Sequence, residues 1–263
     1  MLQTVNRKKN SKIEAKDLNN NLLTLSIQLS LDGFCFYITN PNSQEVLKVL
    51  KEEFSTRKTD PKSLLDELER FIFKEDLGSL NFKSVEVLHH NNLISIVPNA
   101  YFDETKLGLY LQNTIKLYAS DYISYDPISS IDAQAVYLPF VNINNYILDK
   151  FGAFEYQHAS ARLIEKLSLI SGEKADSPKD FYLSLNLNSI EIIVFEKKKL
   201  VFFNNFDTRT EEDVVYYTLF ALEQLQIDPG KVLIEYINPN RVERIEVLKA
   251  YVSELKPLEL NPF

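Results

Sequence analysis

Two stretches of this chain run through the same order of elements: strand, turn, strand, strand, capped helix, strand, helix. In the first, Leu23, Leu25, Ile27, Leu29 and Leu31 alternate with Thr24, Ser26, Gln28, Ser30 and Asp32. That is the period of a strand with one buried face. Asp32-Gly33 reads as a hairpin turn, residues 34–39 as the returning strand and 45–54 as a third. Asp60-Pro61 opens a helix with Asp at the N-cap and Pro at the first helical position. Leu64, Leu65, Leu68, Phe71 and Ile72 form its apolar stripe. Strands are expected at 85–90 and 93–97 around Asn91-Asn92, near 121–125 and at 133–138, with helices at 103–111 and 142–150. A connecting segment at 155–160 leads into a helix at 161–171.

In the second stretch Leu183, Leu185 and Leu187 alternate with Ser184, Asn186 and Asn188, and Ser189 turns the chain into a strand at 190–195. Lys197-Lys198-Lys199 turn it again into 200–206. Thr210-Glu211-Glu212-Asp213 starts a helix in capping-box fashion, with an acidic first turn that suits the helix dipole. Val214, Ala221, Leu222 and Leu225 line one face of it. Asp228-Pro229-Gly230 ends it, a buried strand follows at 232–237, and a last helix at 241–250 leaves little after it. Asp32 and Asn188 stand at equivalent turns about 156 residues apart, a period that means a duplicated domain and not a solenoid. The expected organisation is α/β: a leader at 1–21 and two β-β-β-α-β-α halves at 22–154 and 155–263. Ser171-Gly172 and Asp176-Ser177-Pro178 supply turn chemistry between the halves.

Composition narrows the chemistry. The chain has 263 residues, 45% hydrophobic and 25% charged, which is ordinary globular composition. Only six residues are glycine, about 2% against roughly 7% in average proteins. Phosphate-cradling loops need glycine where backbone N–H groups approach a nucleotide, so several working nucleotide loops are not expected. The net charge is −8, which repels nucleic acid and anionic lipid. The basic runs Arg7-Lys8-Lys9, with Lys12 and Lys16, and 197–199 read as a polar leader and a solvated hairpin tip. Cys35 is the single cysteine and lies in the aromatic run Phe34-Cys35-Phe36-Tyr37; a buried, inert thiol is expected. No signal-peptide core and no stretch long enough to span a membrane is evident, so a cytoplasmic protein without membrane insertion is expected.

The repeat resembles the actin-like (ribonuclease H-like) ATPase fold of actin, sugar kinases and Hsp70 chaperones. It is especially similar to the actin-like proteins of pilus assembly and type II secretion. More narrowly, the chain resembles an uncharacterised bacterial family, a domain of unknown function with that fold. The resemblance rests on Leu29-Ser30-Leu31-Asp32-Gly33-Phe34-Cys35-Phe36 and on residues 206–225, including Glu212-Asp213-Val214-Val215-Tyr216-Tyr217, and covers roughly residues 22–260. It implies two halves around a cleft, with an Asp-x-Gly loop in each half gripping ATP phosphates and magnesium, and a later glycine pair holding adenosine. This chain departs from that pattern. Asp32 is followed directly by Gly33 and then by bulky Phe34. The second loop, Asn186-Leu187-Asn188-Ser189, has neither carboxylate nor glycine, and Asn238-Pro239-Asn240 stands where an adenosine loop would fall. Asparagine cannot act as a general base or hold magnesium as a carboxylate does. Asp32, Gly33 and Asn188 are therefore read either as vestigial phosphate-loop turns or, for Asp32-Gly33, as a plain hairpin turn. The fold is expected to be degenerate, with no catalytic residue, cofactor or metal.

Other constellations are thinner. His89 and His90 are neighbours on a strand and point to opposite faces, and only His158 could join them, so a zinc site is not expected. No Gly-x-Ser-x-Gly elbow supports a triad at His158-Ala159-Ser160. Asp126-Pro127 reads as a turn. With 17 Phe, 14 Tyr and no Trp, most rings belong to the core, while Phe202-Phe203 and Tyr216-Tyr217 each turn one ring elsewhere, as a partner surface would. The reading is a catalytically inactive actin-like scaffold or interaction module with a protein partner and no nucleic acid. The alternatives are a small-ligand or weak nucleotide binder using Asp32 and Asn188 with Asp207 and Arg209, and a purely structural homodimer.

Overall fold

The computed structural model describes residues 23–43, 45–112, 116–171 and 179–260. The basic leader and the turn residues Gly172 and Asp176-Ser177-Pro178 lie outside them. In chain order the elements are β1 (Leu23–Ser30), β2 (Gly33–Asn40), β3 (Glu45–Glu53), α1 (Pro61–Lys74), β4 (Phe82–His89) and β5 (Ile94–Pro98). Then come α2 (Leu107–Leu111), β6 (Ser124–Ile128), β7 (Ala133–Tyr137), α3 (Val141–Phe151), β8 (Glu155–His158) and α4 (Ala159–Ile170). The chain continues as β9 (Asp180–Leu185), β10 (Ser189–Glu196), β11 (Lys199–Asp207), α5 (Glu211–Gln224), β12 (Leu233–Ile237) and β13 (Glu254–Pro257).

Two five-stranded sheets repeat one another strand for strand: β3-β2-β1-β4-β8 and β11-β10-β9-β12-β13. In each, the first hairpin is antiparallel and the fourth strand returns parallel to the first. The duplication read from the sequence is therefore real, and each copy ends in one more strand than expected. By packing, the chain divides into two compact units, 1–89 with 140–156, and 90–139 with 157–263. Residues 90–139, which precede the boundary expected at 154/155, pack with the second unit and carry a separate three-stranded antiparallel sheet, β5-β7-β6.

In the first unit the alternating face of β1 is fully used: Leu25, Ile27 and Leu29 are wholly buried. They pack with Phe34, Phe36, Leu64, Leu68, Phe71 and Ile72 in one core. The Phe71 ring meets those of Phe34 and Phe36 at 4.9 and 5.3 Å. Asp60 caps α1 as its sequence predicts, accepting the N–H groups of Lys62 and Ser63 at 3.0 and 2.9 Å.

In the second unit β9 departs from its apparent one-sided alternation, because all six of its residues are buried. Phe181, Leu183 and Leu185 join the core beneath α5, with Ile190, Ile192 and Val194 of β10. Tyr182, Ser184, Glu191, Ile193 and Phe195 fill the opposite face. A sheet covered on both sides tolerates small polar residues inside when they find partners. Thr210 and Asp213 complete a reciprocal capping box on α5.

Three expectations are corrected. Asp126-Pro127 is not a turn but part of β6, an outer strand of its sheet, where proline's missing donor costs no ladder bond. The last helix is two 3₁₀ segments, Pro239–Ile245 and Val247–Ala250. Val242, Ile245 and Leu248 recur every third residue, the period of a three-residue turn, and Ile245 and Leu248 are buried in the core with α5. Beyond it, β13 pairs parallel with β12, a strand too short and too polar to announce itself. The helix expected at 103–111 is a 3₁₀ turn, Glu104–Lys106, followed by the five-residue α2.

Candidate functional site

The Leu31-Asp32 turn joins β1 to β2. The carbonyl of Leu31 accepts the N–H of Lys58 at 2.8 Å and that of Asp32 accepts Phe54 N–H at 2.9 Å. The Asp32 carboxylate lies 3.8 Å from Arg57 Nε. Gly33 pairs with Glu53 across the β2–β3 ladder. A Cβ built on it would press into the carbonyl oxygen of Glu52, and its φ is +150°. The close approach of β3 thus explains the glycine without a phosphate.

The equivalent turn of the second unit repeats one bond of this scheme, since Asn188 carbonyl accepts Thr208 N–H at 2.9 Å as Asp32 accepts Phe54. It adds a cation. The Arg244 guanidinium donates to the carbonyls of Asn186 and Ser189, the latter at 3.1 Å, and to the carbonyl and hydroxyl oxygens of Thr208. Asn238 Nδ2 donates to Leu185 carbonyl at 2.8 Å. A phosphate loop directs N–H donors at its ligand; here several carbonyl oxygens converge on an arginine of the chain itself. Asp32 and Gly33 belong to the first compact unit and Asn188 to the second. Of the suggested helpers, Asp207 accepts from Asn92 Nδ2 at 3.4 Å, and the Arg209 backbone N–H is bound to the capping carboxylate of Asp213 at 2.7 Å.

Sequence reasoning missed a buried polar cluster in the second unit. Glu191, on the face of β10 away from α5, is 2% exposed. It accepts the Ser160 hydroxyl from the first turn of α4 and lies 3.4 Å from His90 Nε2. His158 caps α4, its Nδ1 accepting Ser160 N–H at 3.1 Å, and its own N–H donates to Asp126 at 2.7 Å. The His90 and His158 rings lie 6.4 Å apart, and Tyr137 meets His158 edge-on. Burial alone would push the Glu191 carboxyl up. The charge and hydrogen bond of His90 and the Ser160 hydroxyl outweigh it and hold the group well below the usual carboxylate range. Burial pushes Asp126 up to about 6, against the bonds from His158 and Tyr137. The lone glutamate in the apolar run Ile190-Glu191-Ile192-Ile193-Val194-Phe195 was the available signal, because a buried carboxylate needs buried partners.

His158 and Ser160 do come together, but not as a nucleophile and its base. The hydroxyl proton goes to Glu191, and Ser160 and His158 are both fully buried. The cluster fastens α4 to β10. His89, in the first unit, is also fully buried. Its Nδ1 accepts Phe140 N–H at 3.4 Å, so Nε2 carries the proton donated to Asn144 Oδ1 at 2.9 Å. Burial lowers its pKa to about 4 despite the bond to Asn144. Among the described residues no group of three or more His, Cys, Asp or Glu could hold a metal, and no helix is long and apolar enough to cross a membrane. Burial pushes the Cys35 thiol up, away from reactivity. Tyr217 stacks on Phe206 at 4.3 Å, while Tyr216 and Phe220 lie parallel and exposed on α5.

The family described as protein of unknown function (DUF3822) matches residues 12–254. No curated protein matches the chain. Among solved structures, a Bacteroides thetaiotaomicron protein with an actin-like ATPase fold and unknown function superposes with a TM-score of 0.80 at 21% identity, covering 94% of each chain. The PilM–PilN type IV pilus biogenesis complex follows with a TM-score of 0.58 at 10% identity, covering 92% of this chain and 89% of that one. The cytoplasmic domain of EpsL, an inner membrane component of the Vibrio cholerae type II secretion system, gives 0.47 at 13% identity, covering 90% of each chain. With its two repeated five-stranded sheets, the chain has the actin-like ATPase fold and belongs to the DUF3822 family of proteins of unknown function.

Proposed function

We propose that this chain is a catalytically silent actin-like protein that works in the cytoplasm as an interaction module. The observation that carries this reading is Arg244, whose guanidinium takes up the carbonyls of the turn where the fold's active members present donors to phosphate. Asn188 in place of a carboxylate removes a magnesium ligand from the same turn. Gly33 answers to the backbone of β3. A fold relative, PilM, is described in a complex with PilN, which suits a role in assembly, although fold by itself does not carry function.

The test is thermal unfolding of the full chain with and without millimolar ATP and magnesium. A ligand at about a hundred times its dissociation constant adds ~2.7 kcal/mol, and each kcal/mol moves the midpoint of a protein this size by roughly 2–4 °C. No shift and no phosphate release are expected. A rise of several degrees, followed by release of inorganic phosphate that Arg244→Met alters, would overturn the reading in favour of nucleotide binding.

A further inference from the structure

β11 is the outer strand of the second five-stranded sheet, and β5 is the outer strand of the three-stranded sheet. Both belong to the second compact unit. Among the described residues no strand pairs with the open edge of either one. The two edges line one groove of about 770 Å³, within the range of roughly 300–1,000 Å³ that binding sites occupy.

Open edges in native sheets are commonly blunted by shortness, proline or charge. β5 follows that rule, with five residues ending at Pro98. β11 does not. It runs for nine residues without proline, and its only charges are at the ends, Lys199 and Asp207, around Leu200-Val201-Phe202-Phe203-Asn204-Asn205-Phe206. Such a segment is a template for another strand, so its survival in a folded protein calls for an occupant. The opposing edge of β5 selects which occupant fits. A second copy of this chain would bring a whole sheet behind its edge strand, and β5 stands in the way. A single extended segment needs only the width of one strand, about 4.8 Å from the edge it pairs with, and residues of both β5 and β11 line the groove it would enter. Ile96, Val201 and Phe203 offer apolar contacts to alternate side chains of that segment.

Charge sets its direction. Lys198 and Lys199 line one end of the groove and are exposed. The lining has a single carboxylate, Asp132, which already accepts Asn99 Nδ2 at 2.6 Å. In a chain of net charge −8 this is a locally basic mouth, suited to an acidic side chain at one end of the bound strand. Resting on the interaction-module reading, we infer that the groove between β5 and β11 takes an extended segment of a partner protein as an added strand, apolar at alternate positions and acidic at one end.

The experiment selects peptides from a displayed random library against the full chain and measures the binding of the enriched sequences as synthetic peptides. Alternating apolar residues with a terminal Asp or Glu are expected, together with slowed amide exchange confined to residues 94–98 and 199–207. Val201 is 40% exposed, so Val201→Lys should leave the melting temperature unchanged while weakening binding by roughly tenfold or more. Lys199→Glu at the exposed tip should weaken acidic peptides selectively. No enrichment, binding indifferent to both substitutions, or protection elsewhere in the chain would overturn the inference. That failure would leave the ATP result untouched, whereas stabilisation by ATP would sink the reading beneath while the peptide result stayed legible.

Discussion

Replacing His89 by glutamine should remove a pH dependence that the wild type carries in its first unit. The imidazole is wholly buried between Asn144 and Phe140 N–H, and its bonds admit only the neutral Nε2–H form. Its pKa is accordingly held down to about 4 from an ordinary 6.5. A folded-state pKa below the unfolded one contributes stability that is present above pH 6.5 and is lost as pH falls toward 4. Between pH 7 and pH 5 the unfolded chain takes up a proton that the folded chain refuses, which costs about 2 kcal/mol. Glutamine can still donate to Asn144 and does not titrate. The assay is urea unfolding of wild type and His89→Gln at both pH values, comparing how the stability difference between the two proteins changes. The wild type should lose about 2 kcal/mol relative to the variant on going to pH 5. Asp126 works in the opposite sense. Its pKa is raised to about 6, so its contribution is present below about 4 and lost as pH rises through 6. Asp126→Asn should therefore steepen the acid loss by about 1 kcal/mol over the same interval. Parallel curves for wild type and His89→Gln would refute the argument, because they would mean the imidazole charges inside the fold.

Two further substitutions test the turns. Arg244→Met keeps the aliphatic stem but takes the guanidinium away from the carbonyls of Asn186 and Thr208, while the Ser189 carbonyl keeps only the Asn186 N–H at 3.0 Å; urea unfolding should show a loss of about 3 kcal/mol, and a loss below about 1 would refute the account of that turn. Gly33→Ala forces β3 away from β2 at the Glu52 carbonyl and should cost roughly 1–3 kcal/mol, read as a lower melting temperature; an unchanged midpoint would return Gly33 to the list of residues kept for a ligand.

Much of the architecture was legible from residue order. Leu23, Leu25, Ile27 and Leu29 declare a half-buried strand because their spacing has the period of the pleat. Asp60-Pro61 and Thr210 through Asp213 declare helix starts because the first-turn N–H groups need acceptors. These signals are local, so their repetition pointed to duplication before any contact was known. The shared strand order of the two sheets is what that duplication becomes when each half folds alike.

The site was another matter. Asp32, Gly33 and Asn188 could be named, but whether Gly33 served a phosphate or β3 depended on Glu52, a residue of a different strand. The role of Arg244 at the Asn188 turn depends on residues 36 to 58 positions away meeting in space. Glu191 could be seen as a lone charge among apolar neighbours, yet its partners His90 and Ser160 come from elements far away in the chain. The sequence by itself determined which backbone segments pair, because pairing follows periodicity and turn chemistry. Only the tertiary structure decided which donor meets which acceptor, and so whether a turn is offered to a ligand or already satisfied from within. Hydrogen bonds between distant residues leave no periodic trace in the order of the chain.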